Sequence, residues 1–197
     1  TVASYAIEGS GSKTFSKVKT FMHQHPEAFY KLMDKLRIAT EEYLKMQVEA
    51  GASCVQLFDS WVGCLSPHDY QKFVLPHMIK LFDTICNVAP TIYFGTDTAT
   101  LLPFMAQTKA SVIGVDWRVE LDKAWSITGY DRCIQGNLDP IILLSDKKTI
   151  KEEACRILDQ AGGRPGFIFN LGHGIVPETP VDNVRYLVEI VKDYHYK

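Results

Sequence analysis

The chain has 197 residues, 46% hydrophobic and 22% charged, with a formal net charge of −2. That is an ordinary globular composition with enough apolar mass for one sizeable core, and it gives no electrostatic reason to expect nucleic acid or an anionic membrane surface as a partner. Five cysteines at unpaired spacings (Cys54, Cys64, Cys86, Cys133, Cys155) argue for free thiols in a reducing, cytoplasmic compartment and against a disulfide framework or zinc ribbon, while no apolar run approaches the roughly 18 residues that cross a bilayer.

At the start, the segment ending near Tyr5 leaves room for a strand, and Gly9-Ser10-Gly11-Ser12 reads as a loop. Pro26 opens a long helix over 27–50, which Gly51 stops. Residues 54–58 form the first clear strand, short, apolar and bounded by polar residues. Ser66-Pro67 then opens a helix as cap and first residue, with Phe73, Val74, Met78, Leu81 and Phe82 sharing a face. Strands follow at 91–94, 112–115 and 133–135. Ser145 caps a helix in which Ile150, Ala154, Ile157 and Leu158 recur at helical spacing, and Gly162-Gly163 ends it. A last strand at 167–169 precedes a helix opened by Thr179-Pro180 and carrying Val184, Leu187, Val188 and Val191.

Strand–helix–strand repetition with right-handed crossovers builds a parallel sheet. The units fit either an open doubly wound sheet or a (β/α)8 barrel lacking its N-terminal strand–helix units. No Gly-x-Gly-x-x-Gly follows a strand and no Gly-Lys-Ser phosphate loop occurs, which removes the best signature of nucleotide binding. The polar residues gather after the strands: Asp59-Ser60, Thr96-Asp97, Asp116-Trp117-Arg118, Asn137-Leu138-Asp139 and Asn170-Leu171-Gly172-His173. In a parallel α/β fold these are C-terminal strand ends, where sites are built. Each Asp or Asn can equally cap the next helix, and Asp139, ahead of Pro140, is read as a cap.

His173, between Gly172 and Gly174, suits hydrogen bonding to a ligand carboxylate or proton transfer near neutral pH. On spacing alone a simple turn residue fits as well. Ser60 can donate to a substrate oxygen, but no nucleophile elbow surrounds it. His23 and His25 read as surface residues rather than metal ligands, and His68, His77 and His195 stand singly on helices. The local sequence leaves Tyr5 open between core residue and ligand contact.

Several strings together resemble the uroporphyrinogen decarboxylase family, in order over essentially the whole chain. They are Ala3-Ser4-Tyr5 ahead of the Gly/Ser loop, Phe58-Asp59-Ser60-Trp61 with Gly63, Gly114-Val115-Asp116-Trp117, Gln135-Gly136-Asn137-Leu138-Asp139-Pro140 and Asn170-Leu171-Gly172-His173-Gly174. The resemblance implies a (β/α)8 TIM barrel, residues 1–197 being the C-terminal portion of a single domain, and a homodimer that uses no cofactor and no metal. It implies conversion of the four acetate arms of uroporphyrinogen III to methyls, giving coproporphyrinogen III in haem biosynthesis. Carried over by motif, Tyr5, Ser60 and His173 are its substrate contacts. The catalytic residue stays unknown here, because the family's N-terminal segment, with an Arg-rich loop and the Asp usually assigned as catalytic, is absent. Two other readings are a zinc-dependent corrinoid/thiol methyltransferase of the same superfamily and an inactive tetrapyrrole-binding fragment. Against zinc, the strand ends carry Gly95-Thr96-Asp97 and Asp116-Trp117 with no His-x-Cys.

Overall fold

A computed structural model describes residues 1–196. The chain clusters into two compact units, Thr1–Val112 and residues 113 onward.

The first unit opens with three helices, α1 (Val2–Glu8), α2 (Ser16–Gln24) and α3 (Pro26–Glu49). The segment around Tyr5 is therefore helix, not the strand for which the sequence left room. Its buried residues, Ala3 and Glu8, do not alternate as a half-buried strand would require. Glu8 ends α1 and accepts from the Val18 N–H at 3.0 Å, satisfying an amide in the first turn of α2. Helix α3 starts at Pro26 as expected and stops one residue short of the expected Ala50.

β1 (Val55–Phe58) and β2 (Thr91–Phe94) pair in parallel, Val55 opposite Thr91 and Phe58 opposite Phe94. Between them the single helix expected after Ser66 is two, α4 (Pro67–Phe73) and α5 (Leu75–Ile85). Pro76 explains the break: it offers no N–H to the carbonyl of Lys72, and its ring crowds that oxygen. The orphaned Lys72 carbonyl is taken up by the Tyr30 hydroxyl from α3 at 3.2 Å. Both halves still bury the expected face, with Phe73, Val74, Met78, Leu81 and Phe82 all inside. A short α6 (Leu102–Met105) follows β2.

β3 (Val112–Gly114) begins at the unit boundary, and the second unit continues with α7 (Leu121–Thr128), β4 (Cys133–Leu138), α8 (Lys147–Ala161), β5 (Phe167–Leu171) and α9 (Val181–Asp193). β4 and β5 are parallel, Ile134 opposite Phe167 and Leu138 opposite Leu171. β4 runs three residues beyond the expected 133–135, and the extension takes in the buried Asn137 and Leu138. Trp125 of α7 is fully buried, and its indole N–H donates to the Arg132 carbonyl at 2.8 Å. Asp139 caps the 3-10 turn Pro140–Leu144, as read from sequence, by accepting from the Ile141 N–H at 3.0 Å. The cap of α8 is Asp146, not Ser145. Its carboxylate accepts from the Thr149 N–H at 2.8 Å, while the Ser145 hydroxyl donates back to the Ile142 carbonyl and closes the preceding turn. Gly162 ends α8 as expected.

Strand order in the sheet is chain order, β1-β2-β3-β4-β5. A doubly wound sheet reverses direction at a switch point. No reversal occurs among these strands, which is the order of a barrel. The fold is thus α/β with a five-stranded parallel sheet of barrel-type order. No helix among the described residues is long and apolar enough to cross a membrane.

Candidate functional site

In the first unit the candidate residues lie where β1 ends. Asp59 continues the strand ladder, its N–H donating to the Phe94 carbonyl at 2.8 Å. The chain then turns, with the Val62 N–H returning to the Asp59 carbonyl at 3.0 Å. Ser60, half-buried in this turn, accepts at its carbonyl from the Thr96 hydroxyl at the end of β2. Gly63 permits the two strand-end turns to meet, since a Cβ there would lie 2.2 Å from the Thr96 carbonyl oxygen and 2.5 Å from that of Asp97.

Tyr5 comes to the same place from α1. The residue is 52% exposed and its ring lies by Trp61, with centroids 4.1 Å apart, next in sequence to Ser60. The Phe15 ring is also near the indole, with centroids 5.3 Å apart. The structure therefore brings Tyr5 and Ser60 together around Trp61. Behind the turn the Tyr70 and Tyr93 hydroxyls are 3.1 Å apart. Burial, then Tyr70 and Asp59, push the Tyr93 phenol well above its usual range. Sequence reading missed this pair, because a tyrosine inside an apolar strand or helix face looks like plain core. The available signal was that each buried hydroxyl needs a partner.

In the second unit the ends of β3, β4 and β5 form another cluster. Asp116 is buried and accepts from the Arg118 N–H at 3.2 Å as well as from its guanidinium. That guanidinium also lies over the Trp117 ring at 4.4 Å. Asn137, inside β4, donates to the carbonyls of Asp116 at 2.9 Å and Val119 at 2.6 Å. It thereby holds the turn after β3 in place. Gly172 continues from β5 and donates to the Leu138 carbonyl at 2.7 Å. A Cβ on Gly172 would meet the Trp117 backbone nitrogen at 2.8 Å, so glycine lets this turn sit against the β3 end. His173 follows, exposed, at the end of β5.

The other histidines lie elsewhere. His23 is exposed and 3.6 Å from Asp69, and His77 is buried against Asp34. Among the described residues no three His, Cys, Asp or Glu side chains gather as a metal's donor set.

The family model for uroporphyrinogen decarboxylase matches residues 1–194. The chain belongs to the uroporphyrinogen decarboxylase family. A uroporphyrinogen decarboxylase of Carboxydothermus hydrogenoformans is 50% identical over 98% of this chain and 55% of its own length. One from Koribacter versatilis is 52% identical over 98% of the chain and 56% of its own. The chain thus spans about half the length of these uroporphyrinogen decarboxylase relatives. Among solved structures, a methyltransferase from Methanosarcina mazei aligns with a TM-score of 0.79 over 98% of the chain and 62% of its own, at 22% identity. That likeness carries the fold alone.

Proposed function

We propose that the protein containing these residues is a uroporphyrinogen decarboxylase. It takes the four acetate arms of uroporphyrinogen III to methyls and yields coproporphyrinogen III. The observation that carries this is about half identity to proteins of that name across 98% of the chain. In each round the ring carbon beside an acetate arm is protonated. The C–C bond to the carboxylate breaks, its electron pair enters the cationic ring as carbon dioxide leaves, a proton is delivered to the arm's carbon, and the ring carbon gives up the proton it had taken, which restores the pyrrole. The electron sink is the substrate's own protonated pyrrole, so the reading calls for no cofactor. What the protein must supply is register for a polycarboxylate and a fixed charge facing the cation. The resemblance assigns that charge to an Asp in the family's N-terminal segment.

Within this chain Tyr5, Ser60 and His173 are the substrate contacts in this reading. In the first unit Tyr5 lies against Trp61, next to Ser60 in sequence, and is half exposed. His173 presents an exposed imidazole after β5 in the second. Hydroxyl and imidazole N–H donors suit the carboxylates of the tetrapyrrole. The reading also includes a cytoplasmic homodimer and one barrel domain.

Turnover of uroporphyrinogen by the full-length polypeptide tests the activity, and absence of coproporphyrinogen among the products overturns it. His173→Ala in that polypeptide removes a donor to a carboxylate, worth about 1.5–3 kcal/mol. We expect kcat/KM to fall roughly tenfold to hundredfold with the thermal transition unchanged. Unchanged kinetics would return His173 to the role of turn residue.

A further inference from the structure

Asp59 lies in sequence beside Ser60 and in space beside the start of α1. Its side chain is only 13% exposed, and two pockets of the first unit meet at it. Oδ1 accepts from the Thr1 hydroxyl at 3.0 Å. That hydroxyl in turn accepts from the Trp61 backbone N–H at 3.0 Å. Thr1 is the N-cap of α1, and its carbonyl receives the Tyr5 N–H at 3.0 Å. Asp59, Thr1, Tyr5 and Trp61 are therefore linked in a closed loop of contacts that runs through Ser60. From the other direction, Asp59 is among the groups that push the Tyr93 phenol up, and the Tyr93 hydroxyl is 3.1 Å from that of Tyr70. A short, nearly buried side chain held by a hydroxyl donor has little rotamer freedom left, so whatever it holds is held in one place.

We propose that Asp59 is a positioning residue: by tying the first turn of α1 to the turn after β1 it sets Tyr5 and Ser60 at the separation that receives one substrate carboxylate. The proposal rests on the reading of Tyr5 and Ser60 as substrate contacts. Asp59 itself acts through them.

The test uses the full-length polypeptide with Asp59→Ala, Asp59→Asn and Thr1→Val, each alone and combined with Tyr5→Phe. Amide hydrogen exchange is followed in α1 and β2, and KM and kcat are measured for uroporphyrinogen. Asp59→Ala and Thr1→Val are expected to speed exchange in α1 by about tenfold, with β2 unchanged. Asp59→Asn keeps an acceptor oxygen and is expected to preserve most of that protection. KM should rise about tenfold in Asp59→Ala, with kcat affected less. Once Tyr5→Phe is present, adding Asp59→Ala or Thr1→Val should cost no more than about twofold further, because the position being set no longer carries a hydroxyl. Fully multiplicative losses, or unchanged α1 exchange in Thr1→Val, overturn the proposal. If Asp59→Ala does not fold, Thr1→Val and Asp59→Asn carry the comparison. Should the parent polypeptide leave uroporphyrinogen untouched, the functional reading falls, and the exchange data still decide whether Asp59 places α1.

Discussion

His77 is 4% exposed and directs Nδ1 to Asp34 at 3.1 Å, while Nε2 is enclosed with no hydrogen-bond partner among the described residues. Burial pushes its pKa down, with Lys80 and Arg37 adding to that and Asp34 opposing it. A histidine held neutral in the folded state and free to protonate when unfolded makes the unfolded state bind more protons below pH of about 6.5. Stability should therefore be full above that pH and decline as the pH drops through the window beneath it. Urea midpoints between about pH 5 and 7.5 measure this, and His77→Gln should flatten the slope. An unaltered slope would place the acid sensitivity elsewhere. Gly63 gives a second prediction at this scale. A Cβ 2.2 Å from the Thr96 oxygen forces backbone apart, so Gly63→Ala should cost about 2 kcal/mol or more in denaturant unfolding. The sequence marked Asp59, Ser60, Asp116 and His173 as strand-end residues, because their polarity interrupts apolar runs. It was silent on the Tyr70–Tyr93 pair and on Thr1, whose roles come from residues distant in sequence.

Local rules read the elements well where a single signal dominated, and failed where two competed. Pro26 and Gly51 bound α3 almost as expected, for nothing else in that stretch breaks a helix. At 66–85 the continuous apolar face pointed to one helix, yet the missing donor of Pro76 decided the backbone. At 145–146 two capping residues stand side by side, and the one three residues before Thr149 takes the helix. The Tyr5 segment was too short to separate strand from helix by period. Ser66 is the cleanest cap to test, since its hydroxyl accepts from the Asp69 N–H at 3.1 Å and nothing beside it competes. Ser66→Ala should cost about 1 kcal/mol, seen as a drop in Tm of about 2–4 °C. No change would mean that α4 is held by its buried face alone.

Among the described strands, β1 and β5 each pair on one side. Phe58 on β1 is 62% exposed, and Ile168 on β5 is 41% exposed. Apolar side chains beside unpaired backbone invite association. Residues 1–197 expressed alone should therefore self-associate in light scattering and show no measurable uroporphyrinogen turnover. Substantial turnover would place the essential acid inside the chain, with Asp59, Asp97 and Asp116 the first to substitute. From sequence, two α/β architectures fitted the strand–helix alternation equally; strand order separates them, and alternation alone carries no order.

That order also bears on how the molecule comes to be folded. When every strand lies next to its predecessor in the chain, each pairing closes a loop only one strand–helix unit long. Loop-closure entropy then stays small at each step, and folding can proceed by accretion, each arriving unit docking on an edge already formed. A sheet with a reversal must instead bring a late strand back to an early one, which raises contact order and slows folding. A chain built this way is suited to forming structure while it is still being synthesised.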